Sequence, residues 1–135
     1  MKKNILVIAG LAASGLAYAE NLEGVDRMVC AAMDVQICIE YDACYTAVPV
    51  DLGVPEFVII DTDEKTISTT KSSSEKRSTE FNSLLKEDGL IYLQGVEGGR
   101  AFSFVIDEAS GRMTVAVSRD GVSVSVFGAC TDADL

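Results

Sequence analysis

The sequence predicts an all-β domain: a small antiparallel up-and-down meander of about eight strands, closed into a barrel or, as the alternative, stacked as a two-sheet β-sandwich. Three observations predict it. Apolar and polar residues alternate over short runs, the period of a strand with one buried face. Glycine-containing and acidic turns separate those runs. The cysteines Cys30 and Cys130 sit at the two ends of the strand-rich region, where a bridge between them would bring its first and last strands together.

A targeting segment precedes the domain. Lys2 and Lys3 form a charged start, Ile5 to Ala17 an apolar run of 13 residues, and Ala17-Tyr18-Ala19 a small-residue cleavage site. The run is shorter than the ~20 residues of a spanning helix. It therefore reads as a signal-peptide helix over residues 1–19, cut between Ala19 and Glu20 for export to the periplasm or the medium. The expected product is a single domain, residues 20–135, with no membrane association. That product has 9 basic and 21 acidic residues, a net charge of −12. A field of this sign disfavours nucleic acid and anionic lipid and favours solubility or a basic partner.

The first strand is expected over Met28 to Ile39. Val29, Ala31, Met33, Val35, Ile37 and Ile39 are apolar at odd positions and Asp34 and Gln36 occupy even ones, so the odd face should be buried and Cys30 and Cys38 should share the other. In a straight strand their Cα atoms lie roughly 26 Å apart, against the ~4.4 to 6.8 Å that a disulfide spans. They cannot pair with each other. Four cysteines in an exported chain indicate two disulfides. The preferred pairing is Cys38 with Cys44, across a turn at Glu40 to Ala43, and Cys30 with Cys130. Cys30 with Cys44 and Cys38 with Cys130 remains the alternative. Cys130 has the parity of the inward Val126, so the preferred bridge requires a change of register, for which Gly128 is a suitable place.

Tyr45 to Pro55 contains Pro49, Gly53 and Pro55 and reads as a loop or irregular crossing. Glu56 to Asp61 and Thr66 to Lys71 form a hairpin about the polar turn Thr62 to Lys65. Ser72 to Lys76 is polar. Arg77 to Lys86 fits either a short helix or a strand with a bulge. Turns at Glu87-Asp88-Gly89, Glu97-Gly98-Gly99, Asp107 to Gly111 and Asp120-Gly121 then punctuate strands over Leu90 to Gln94, Arg100 to Ile106, Met113 to Ser118 and Val122 to Val126.

Little in the chain points to catalysis. It has no histidine, which removes Ser-His and Cys-His nucleophiles and imidazole metal ligands. S-x-x-K occurs at Ser68/Lys71, Ser73/Lys76 and Ser83/Lys86, without the further motifs of a Ser-Lys hydrolase. Asp61, Asp63 and Glu64 crowd one turn but lack the glycine and distal glutamate of a calcium loop. No metal or cofactor is expected. Basic groups are scarce, so Arg77, Arg100, Arg112 and Arg119 stand out. Arg77, Arg100 and Arg112 are the binding candidates, with Arg100, behind Gly98-Gly99, placed to orient an anionic ligand. The plainer reading puts each arginine at a strand end, neutralising acids such as Glu97, Glu108 or Asp120. Tyr41, Tyr45 and Tyr92 read as surface or rim packing.

In signal segment, size, strand number and cysteines the chain is similar to small periplasmic β-barrel proteins, a group that includes lysozyme inhibitors and lipocalin-like binders. No family motif accompanies the likeness. The expected function is a non-enzymatic binding or inhibitory module for a basic envelope protein, such as a lysozyme-like enzyme, met by the turns at Asp61 to Lys65 and Glu97 to Arg100. A carrier of a small apolar ligand in the barrel interior is the alternative, and a carboxylate-based enzyme a third.

Overall fold

The computed structural model describes residues 21–134. The expected signal segment and its cleavage point at Ala19 and Glu20 lie outside them. The strands are β1 (Arg27–Ile39), β2 (Tyr45–Ala47), β3 (Phe57–Asp61), β4 (Thr66–Thr69), β5 (Ser78–Glu80), β6 (Ser83–Glu87), β7 (Leu90–Glu97), β8 (Arg100–Asp107), β9 (Arg112–Arg119) and β10 (Val122–Asp132). A 3-10 turn spans Pro49–Leu52. The strand number exceeds the expected eight because β2 and β5, three residues each, are too short to show an alternation. Tyr45 to Pro55 is accordingly more than a loop, and Arg77 to Lys86 holds two strands and no helix.

All the strands belong to one antiparallel sheet, ordered β5-β4-β3-β1-β10-β9-β8-β7-β6, with β2 added to β1. It is an open half-barrel, where the sequence predicts a closed one. Its two edge strands, β5 and β6, are consecutive in the chain but share no register. Phe81 and Asn82 join them: the Phe81 N–H donates to the carbonyl of Lys65, in the β3–β4 turn (3.0 Å), and the Asn82 N–H to the carbonyl of Gln94 on β7 (3.0 Å). The chain thus steps from one edge to the other in two residues. The short exposed edges offer little template for pairing with another molecule.

β1 and β10 form the centre of the sheet. Cys30 lies directly opposite Cys130, and the two are joined by a disulfide; a second bridge links Cys38 to Cys44. The expected change of register occurs opposite Gly128 and not within β10. Ala32 pairs with Gly128 and Asp34 with Phe127, leaving Met33 as a β-bulge. The bulge swaps the faces of β1. Met28 and Cys30 point inward before it, Val35 and Ile37 after it, and Met33 is 71% exposed. The single buried odd face expected for β1 is therefore wrong for Val29 to Met33, and Cys30 and Cys38 lie on opposite faces. Gly128 permits the close approach: a Cβ there would collide with the Ala31 carbonyl oxygen and press on the Met113 methyl group. The bulge also marks where the outer edge of β1 passes from β3, paired with residues 27–31, to β2, paired with residues 35–37.

One end of the half-barrel is filled. Met28, Cys30, Ile60, Phe81, Ile91 and Ile106 are buried there, and Leu22 closes the end from below, with its N–H donating to the Glu108 carbonyl (2.7 Å). The sulfurs of Cys130 and Met113 touch at 3.7 Å within this core. Two disulfides are the chemistry of an oxidising compartment, periplasmic or extracellular. Among the described residues no helix is long and apolar enough to cross a membrane.

Two predictions follow from the β1–β10 pairing. Gly128→Ala should lower the free energy of unfolding by about 1–3 kcal/mol, as overpacking does, whereas Met33→Ala should stay within about 0.5 kcal/mol; urea denaturation of both variants checks the contrast. Replacing Cys30 and Cys130 by alanine opens a 100-residue loop, worth about 4.7 kcal/mol in the chain-entropy model. Opening the six-residue Cys38–Cys44 separation should cost only about 2 kcal/mol. Equal losses in the two double variants would contradict the central role of the long bridge.

Candidate functional site: an apolar cavity with an arginine rim

The end opposite the filled core is hollow. Antiparallel pairing brings to this end the last residues of β1, β4, β7 and β9 and the first of β3, β5, β8 and β10. The inward positions there form a cavity of about 310 Å³. One wall is Val115 and Val117 on β9 with Val122 and Val124 on β10; Val58 and Ile67 face them from β3 and β4. This follows from the sequence: β9 and β10 each carry valine at every second position, joined by Asp120-Gly121, so both strands turn the same apolar set inward.

Phe102 and Phe104 complete the lining on β8, packed edge to face with ring centroids 5.8 Å apart. Phe102 lies opposite Gly95 on β7, and its ring covers the place a Cβ would take there. Gly95 therefore gives the ring its seat. The segment Leu52 to Pro55 roofs the cavity. It follows β2 and the 3-10 turn, which ends at Gly53 with φ +64°. The Cys38–Cys44 bridge anchors the start of this excursion to β1.

Charged groups collect at the mouth. Arg77, Glu97, Arg100 and Arg119 all line the cavity. The β8–β9 register pairs Ala101 with Ser118, which sets Arg100 opposite Arg119 one step further on. Both project to the inner face by strand parity. Arg77 reaches Glu97 at 3.6 Å, with both side chains about one-third exposed. This pair spans the seam between the β5 and β7 sides of the sheet. Neither Arg100 nor Arg119 forms an ion pair among the described residues.

The sequence-derived candidates separate accordingly. Arg77 and Arg100 meet at the cavity. Arg112 does not: it begins β9 at the filled end, outward by parity, with its N–H on the Ser110 Oγ at 3.1 Å. Arg119, outside the three binding candidates, has its signal in the hairpin register: counting outward from the β8–β9 turn sets it against Arg100. Leu52 and Val54 carried no signal, because nothing local says where a proline-flanked loop will fold.

The other motifs are used locally. The Asp61 Oδ1 accepts N–H groups from Asp63 (3.0 Å) and Glu64 (2.9 Å), which makes it the organiser of its own turn. Ser83 and Lys86 are three apart on β6 and so face opposite sides. The Lys76 Nζ donates to the Lys71 carbonyl at 2.6 Å. Tyr41 is almost fully exposed and Tyr45 half exposed. Compared with known protein families, curated proteins and solved structures, the chain matches none.

Proposed function

We propose that this protein is a non-enzymatic binding module of an oxidising compartment that carries a small apolar ligand in the hollow end of its half-barrel. The observation that supports this is the cavity of about 310 Å³ walled by valine and phenylalanine. Its size falls at the lower end of the ~300–1,000 Å³ usual for small-molecule sites, and its mix of apolar walls and a few convergent polar groups is typical of them. Valine lines the β9–β10 wall of the cavity, where the filled end uses larger side chains such as Met28, Ile60, Phe81 and Ile106.

The exterior supports a second reading, docking of a basic protein, through the net charge of −12 over residues 20–135. The turns expected to make that contact are less suited to it. The Asp61 carboxylate is engaged by its own backbone, and Glu97 faces Arg77. Among the described residues lining the cavity Glu97 is the one carboxylate, so paired acids for hydrolysis find no support there.

Titration with the neutral fluorophore N-phenyl-1-naphthylamine tests the cavity reading. A single saturable site is expected, and Val117→Phe or Val124→Phe should weaken it by about tenfold or more, since overpacking of about 1–3 kcal/mol falls on the bound state. Circular dichroism should stay unchanged in both variants. Absence of saturable binding to the unsubstituted protein would overturn the proposal.

A further inference from the structure

We infer that the ligand is a single-chain amphiphile with an anionic head, its tail among the valines and its head between Arg100 and Arg119. This rests on the cavity reading and adds the chemistry of the mouth. Like charges set opposite each other on neighbouring strands repel, yet Arg100 and Arg119, both exposed, lie one register step beyond Ala101–Ser118 and line the same apolar chamber. An anion placed between them converts the repulsion into two attractions.

The local balance of charge favours this occupant. Arg77, Arg100 and Arg119 line the cavity against Glu97 alone, and Glu97 is held by Arg77. That leaves Arg100 and Arg119 without an acidic partner among the described residues, in a chain whose acids otherwise outnumber its bases about two to one. Glu40 and Asp120 lie at the same end, both exposed and neither in an ion pair with the two arginines; more distant acids are screened beyond about 8–10 Å in physiological salt, whereas the two arginines meet the head directly. The guanidinium fork matches a carboxylate and gives charge-assisted hydrogen bonds.

The cavity volume bounds the tail. At about 310 Å³ it stands at the lower end of small-molecule sites, which suits a single medium-length acyl chain.

Displacement of N-phenyl-1-naphthylamine by sodium decanoate and by 1-decanol separates head from tail. The unsubstituted protein should prefer decanoate by about tenfold or more, the scale of a hydrogen bond to a charged group. In Arg100→Gln/Arg119→Gln the preference should vanish while decanol binds as before. Arg112→Gln, at the other end of the molecule, should keep the full preference. Decanoate should also raise the melting temperature of the unsubstituted protein and not of the double variant. Equal displacement by decanoate and decanol, or a preference that survives the double substitution, would overturn this inference and leave the cavity reading standing. Failure of all three probes to bind the unsubstituted protein would overturn both.

Discussion

The pairing of β1 with β10 is the constraint on which the other strands depend. These two strands, separated by most of the domain, lie side by side at the middle of the sheet, locked by Cys30–Cys130. From β1 the sheet grows through β3, β4 and β5; from β10 it grows through β9, β8, β7 and β6. Apart from the excursion through β2 and the 3-10 turn between β1 and β3, each arm is a succession of short antiparallel connections, inexpensive in loop entropy. The central pairing is not, because it closes a loop of about a hundred residues before any local contact rewards it. A covalent bridge at that point offsets the cost where it is greatest. The two arms then meet at Phe81 and Asn82, so the edge strands end beside each other without forming a ladder.

The Met33 bulge carries the same constraint into the interior. By exchanging the faces of β1 it lets Cys30 point into the filled end while Val35 and Ile37 still point inward further along. Gly128 supplies the space for it. Without the bulge, either the bridge or the second half of the strand would face solvent.

Filled and hollow ends differ in side-chain size and in what closes them. Methionine, isoleucine, leucine and phenylalanine interdigitate at the first, plugged by Leu22. Valines predominate on the β9–β10 wall of the second, beneath a roof that packs only Leu52 against the core. The arginine rim belongs to the hollow end because β7, β8 and β9 all turn there, and each turn delivers an inward residue at its edge: Glu97, Arg100 and Arg119.

The sequence by itself determined the β class, the inward valine set of β9 and β10, and most of the turns. Asp88-Gly89 and Gly98-Gly99 both take positive φ at each central residue, the geometry of a two-residue hairpin. These features rest on side-chain alternation and local backbone preference, which act between neighbours in the chain. Strand β1 shows the limit of such reasoning. Its alternation is unbroken from Val29 to Ile39, yet the bulge splits it, because the need to place Cys30 opposite Cys130 and to pass between β3 and β2 outweighs a one-residue pattern. Arg112 and Arg119 were indistinguishable in sequence, each near a turn in β9. Only the tertiary structure decided that Arg119 joins Arg100 at a cavity while Arg112 faces solvent at the far end. The reason is that an antiparallel strand sends its two termini to opposite ends of the sheet, and which end remains hollow depends on how distant side chains pack.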